Sequence, residues 1–136
     1  SKTRFNKKLI FIQPAHPYRH DILIFVGVSW EEAKEKLDKK SPCYAFLEKN
    51  QDCFEEVRTG KKLGMALISP NNYTFLILPK AKDEWSHWEN LIHELHHLVG
   101  FITRAKMLEG EIEAQAYLQE YLFNQIRRKL AGLEKI

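Results

Sequence analysis

The sequence has little of several things that would decide its class at once. Two cysteines, Cys43 and Cys53, in 136 residues are far from the dense, even framework of a small secreted domain stapled by disulfides, so buried free thiols are expected. No stretch approaches the roughly eighteen consecutive apolar residues of a membrane-spanning helix, and the first apolar run is too short for a signal-peptide core. A cytoplasmic protein without membrane attachment is the expectation. Charge of one sign is also scarce: 21 Lys and Arg stand against 18 Asp and Glu, a net +3. These charges are spread along the chain, without the basic stripe of a dedicated nucleic-acid binder, so no specific nucleic-acid partner is expected. There is no glycine-rich phosphate loop and no nucleophile elbow. No linker, repeat or low-complexity tract divides the chain.

What is there is enough apolar material, 44% of residues, for one domain over residues 1–136 that buries a core without staples. Leu9-Ile10-Phe11-Ile12 and Ile22-Leu23-Ile24-Phe25-Val26 read as strands, the second buried on both faces, with Pro14 and Pro17 in the loop between. Ser29 and Glu32 form a capping box opening a surface helix with Trp30, Ala33 and Leu37 at helical spacing. Ser41-Pro42 is a second helix start, and short helices and loops are expected from there to Gly64. Met65-Ala66-Leu67-Ile68 and Tyr73 to Leu78 flank the turn residues Ser69-Pro70-Asn71-Asn72 and predict a β-hairpin. Ser86 with Glu89 predicts a capped helix ending near Gly100. A last helix is predicted from about Glu109 to Leu130, its Arg127, Arg128 and Lys129 complementing the carboxyl-terminal dipole. The fold class is α+β, a short mixed, mostly antiparallel sheet with helices.

The chemistry concentrates in His93-Glu94-Leu95-His96-His97, which has the spacing H-E-x-x-H. At about 100° per residue, His93 and His97 leave one helix face a turn apart and can converge on one ion, with Glu94 beside them to reach a metal-bound water. Leu91, Ile92, Leu95, Leu98 and Val99 form the apolar back. Neutral imidazole suits zinc, and a catalytic zinc site uses three protein ligands with the fourth position open. Two histidines are one ligand short, and the last helix opens with the carboxylates Glu109, Glu111 and Glu113. Acidic residues favour the first turn of any helix through its dipole. Glu113 is favoured over Glu111 because it is expected well inside the helix and is followed by Ala114 and Ala116, which allow close helix approach. His96 points away from the His93/His97 bisector. His16 and His20 read as loop histidines, and Trp85 and Trp88 as core anchors.

From Trp85 to Phe123 the pattern resembles the gluzincin zinc metallopeptidases, with His-Glu-x-x-His on one helix and a glutamate ligand on a later one. Within that group it is similar to the small ImmA/IrrE-type and phage- or mobile-element-type zinc peptidases, although His96 replaces a usual glycine and Tyr117-Leu118 a common Phe-Ala. The resemblance implies a small zincin-like domain, one bound zinc, His93, His97 and Glu113 as its ligands, and Glu94 as the catalytic glutamate. The expected function is hydrolysis of peptide bonds in a peptide or protein substrate. Tyr117, Tyr121 and His87 are candidate donors to the transition state, with Tyr117 first, and the strand Tyr73 to Leu78 is a candidate edge for an extended substrate. The competing expectation is a zinc-containing binding or regulatory module without peptidase activity. A third is a metal-free interaction protein.

Overall fold

Short β-rich runs at the start of the chain pair with each other before any helix intervenes. In the computed structural model, which describes residues 3–81, 83–108 and 110–136, β1 (Leu9–Pro14) and β2 (Asp21–Val26) are antiparallel, with Leu9 opposite Val26. The chain then passes through α1 (Trp30–Lys34), α2 (Pro42–Lys49) and α3 (Asp52–Arg58) to a hairpin of β3 (Met65–Ile68) and β4 (Thr74–Leu78). Two long helices close the chain, α4 (Glu84–Ala105) and α5 (Ile112–Leu130). β4 lies parallel to β2, and the sheet order is β1-β2-β4-β3. A parallel pair needs a long crossover, and the three short helices occupy it. The protein is α+β with a four-stranded mixed sheet and five helices.

Strand alternation distributes the core over both faces of this sheet. Ile22, Ile24 and Val26 of β2 point to α4 and α5, meeting Leu91, Leu95 and Leu122. Phe25 and half-buried Leu23 point to the other side, where Trp30, Leu47 and Phe54 of the short helices cover them. Among the described residues no helix is long and apolar enough to cross a membrane. Cys43 and Cys53 are free thiols.

Three local expectations are met and three are corrected. The Ser29/Glu32 capping box has both of its hydrogen bonds, Ser41 caps α2 with Pro42 in its first turn, and the hairpin forms. The strand Tyr73 to Leu78 is not an edge: all five residues of β4 are buried, between β2 and β3, as befits a strand apolar on both faces. The edge on that side is β3. The motif helix starts three residues before the expected Ser86/Glu89 box, because the Asp83 carboxylate accepts from the Ser86 backbone N–H at 2.8 Å and from its hydroxyl at 3.2 Å. It also runs past Gly100 to Ala105, held by buried Val99, Ile102 and Thr103. Its stop uses no glycine. Met107 takes the left-handed conformation at φ 60°, and Leu108 N–H reaches Thr103 C=O at 2.6 Å, the pattern a glycine usually serves. The last helix begins at Ile112, and the expected start at Glu109 lies outside the described residues.

Candidate metal centre

α4 lies on the sheet against β3 and β4, with α5 along one flank. Its apolar stripe, Leu91, Leu95, Leu98 and Ile102, is fully buried, which fixes the rotation of the helix and hence where every polar side chain emerges. His93 and His97 emerge together on the exposed side, ring centroids 5.1 Å apart and planes at 76°. Glu94 is turned a further step toward the sheet. It is only 7% exposed, and its Oε2 stands 3.9 Å from His93 Nε2.

What receives Glu94 is the start of the edge strand. A Cβ placed on Gly64 would lie 2.9 Å from Glu94 Cγ and 3.5 Å from its Oε2, so the carboxyl occupies the space a side chain would otherwise take. Gly64 was not singled out by sequence reading. The sequence offers only a glycine directly before the apolar run Met65 to Ile68; its burial and its position outside the left-handed region come from the structure.

The other flank of α4 meets α5. Ile112, Gln115, Ala116 and Gln119 face His96, Val99 and Gly100 across a groove of about 410 Å³, and Gln119 Nε2 donates to Ile92 C=O at 3.4 Å. His96 lies on this flank, its ring 6.2 Å from that of His97. The polar side of α4 therefore splits into a β3 flank carrying Glu94 and an α5 flank carrying His96, with His93 and His97 between them.

Glu113 is the second residue of α5 and exposed, in the first turn rather than well inside the helix as expected. Among the described residues no three His, Cys, Asp or Glu side chains form a group that could hold a metal. Glu111 is the residue before the helix and makes no side-chain cap. Tyr117 is half-exposed and stacked on Tyr121 at 6.0 Å, and Tyr121 meets His16 edge-on at 6.3 Å. That places both tyrosines away from the α5 residues that face α4. His87 is buried at 1% exposure between Phe5 and Trp88, with no hydrogen-bond partner for Nε2 among the described residues. Burial alone lowers its pKa to about 4. Trp88 packs there as expected, whereas Trp85 is 72% exposed.

Two exposed imidazoles a turn apart, with a carboxyl buried beside them, fit two of the three protein ligands and the base of a catalytic zinc site. A groove of about 720 Å³ lies elsewhere, between β1 and α1, where Lys8 and Glu32 are already paired at 2.8 Å. Comparison with family models, with curated proteins and with solved structures finds no match to this chain.

Proposed function

We propose that the chain is a zinc-dependent peptidase of the gluzincin type with a zincin-like fold, in which His93 and His97 hold the metal and Glu94 is the general base. The observation that carries this reading is the placement of Glu94. A glutamate is among the residues least often buried without a partner, yet here the carboxyl is buried against Gly64 while both flanking histidines are open to solvent. The rotation fixed by the apolar stripe places position 94 at the border of the buried face and positions 93 and 97 outside it, the division that a base beside two metal ligands requires.

Zinc, when bound, polarises a scissile carbonyl and acidifies water. Glu94 takes the proton of the attacking water and returns it to the leaving amine. Packing of its stem against Gly64 limits where the carboxyl can lie. Glu113 supplies the third ligand in this reading, from the first turn of α5. The outer edge of β3, which begins one residue after Gly64, beside Glu94, is the strand against which an extended peptide substrate pairs.

Metal analysis and one substitution test the proposal. Purified under metal-replete conditions, the protein is expected to hold about one equivalent of zinc, and less than about half an equivalent sinks the zinc reading altogether. Glu94→Gln is expected to keep the metal and lose about 10²- to 10⁴-fold in cleavage of a peptide-library hit. Full cleavage by that variant removes Glu94 from the mechanism. Tight zinc binding with no cleavage by the unaltered protein moves the assignment to the binding or regulatory module. Glu113→Ala should weaken zinc binding far more than Glu111→Ala, and equal effects would exclude Glu113 as the ligand.

A further inference from the structure

At the far end of α4 from its N-terminus, a separate pocket of about 370 Å³ is formed by three segments. Arg19, His20 and Asp21 come from the β1–β2 loop and the start of β2, Asn71, Asn72 and Tyr73 from the β3–β4 turn, and Ala105 and Lys106 from the end of α4. Two cations face one carboxylate. Neither Arg19 nor Lys106 is neutralised by an ion pair among the described residues. Arg19 and Asn72, on two walls of the pocket, both hold left-handed backbone, φ 47° and 65°, a conformation that costs a residue with a Cβ about 1 kcal/mol or more.

The histidine lining this pocket is oriented. His20 Nε2 lies 2.8 Å from Thr74 Oγ1, and the same hydroxyl donates its one proton to the Asp21 carbonyl at 3.2 Å. Thr74 therefore accepts from His20, so Nε2 carries the hydrogen and Nδ1 is the free position, an acceptor when the ring is neutral and a donor when it is protonated. Burial lowers the His20 pKa, the nearby Lys106 charge lowers it further, and Asp21 opposes both. An anion beside Lys106 would cancel the second influence and give Nδ1–H a partner.

We propose that this pocket binds a phosphate-type oxyanion, held by Arg19 and Lys106, with the Asn71 and Asn72 amides and His20 Nδ1–H as hydrogen-bond donors. A doubly charged group suits two cations better than a singly charged carboxylate does. The volume admits either the free ion or the phosphate of a larger ester. The site is independent of the peptidase reading, and no residue is shared between them.

The test follows the His20 ring by NMR while inorganic phosphate replaces chloride at constant ionic strength. The expected result is a saturable movement of the His20 signals and a rise in the pH at which they titrate. That titration is set by burial, by Lys106 and by Asp21, with Thr74 on Nε2 and Arg19 on the pocket wall. An Arg19→Ala, Lys106→Ala double variant should bind about tenfold more weakly or worse. Asp21→Asn should bind roughly two- to threefold more tightly, since it removes a like charge. Glycerol phosphate run in parallel separates the two sources: tighter binding of the ester assigns the pocket to an organic phosphate, tighter binding of inorganic phosphate to the free ion. A change that never saturates, a double variant that binds unchanged, or weaker binding by Asp21→Asn would overturn the proposal.

Discussion

The two faces of the sheet are packed by different rules. On the α1–α3 side the core cluster is apolar or aromatic, with Phe54 meeting Phe25 edge-on at 5.1 Å and Trp30 at 5.7 Å, and a buried polar residue, Ser69, stands at the β3–β4 turn. On the α4–α5 side the core is just as complete, yet it admits Gln13, Thr74, His87, Glu94 and Thr103. Some of these are satisfied: Thr103 Oγ1 donates to Val99 C=O at 2.8 Å, and Lys129 Nζ donates to Gln13 Oε1 at 2.5 Å. His87 is not, and Glu94 is tucked against a glycine. Burying a polar group without a full set of partners costs about 1–3 kcal/mol. Departures of this kind are expected at functional or strained sites, and His93, Glu94 and His97 stand on the helix of this layer.

The largest expected effect breaks the apolar layer. Phe54→Ala removes a fully buried ring between two other aromatics and should cost about 3–5 kcal/mol in urea unfolding. The zinc content of the folded fraction should be unchanged, because the ring lies across the sheet from His93. A loss of under about 1 kcal/mol would mean that this face is not a tightly packed core.

The next effect belongs to the other layer and depends on pH. His87 is held neutral, its pKa lowered from 6.5 to about 4 by burial. The unfolded chain therefore binds a proton between those values that the folded chain refuses, and stability falls as pH drops through that window. The loss is complete below about pH 4 and amounts to roughly 3 kcal/mol, while above pH 6.5 the group contributes nothing to the slope. His87→Phe, a ring placed between Phe5 and Trp88, should remove that part of the acid sensitivity. Unfolding is measured with a chelator present throughout, so that metal release does not enter. Parallel curves for the two proteins would show that His87 is not the buried neutral group.

What was legible in the sequence is what is decided within about one turn or one hairpin. The Ser29/Glu32 box, the Ser41-Pro42 start and the β3–β4 hairpin all depend on neighbours a few residues apart, and the helical phase that brings His93 and His97 to 5.1 Å is likewise local. The placement of β4 between β2 and β3 depends on a crossover of more than forty residues. Its only trace was the run of apolar residues from Phe75 to Leu78, which suits a strand covered on both faces. The end of α4 was misplaced because buried Val99, Ile102 and Thr103 outweigh the low helix propensity of Gly100, and because Met107 serves where glycine is usual. Glu113 was placed by reasoning about one helix, whereas its relation to His93 and His97 is set by how two helices cross.

The smallest effect is the most specific to the Glu94 site. Gly64 is not in the left-handed region, so alanine is allowed there by the backbone and should even stabilise by about 0.4–1 kcal/mol through the unfolded chain. Opposing this is the contact of its Cβ with Glu94 Cγ at 2.9 Å, an overpacking that typically costs about 1–3 kcal/mol. Gly64→Ala should therefore be destabilising by about 1 kcal/mol, and the contact can be relieved only by moving the carboxyl. In a Glu94→Ala background the obstacle is gone, and the same substitution should become neutral or stabilising. Gly100→Ala, where the added methyl meets nothing within 4 Å, is the control and should stabilise in both backgrounds by about 0.5–1 kcal/mol. A double-mutant cycle on unfolding free energies reads the coupling directly, without any substrate. Additive changes at Gly64 and Glu94 would mean that the glycine does not hold the carboxyl in place, and the burial of Glu94 would then need another cause.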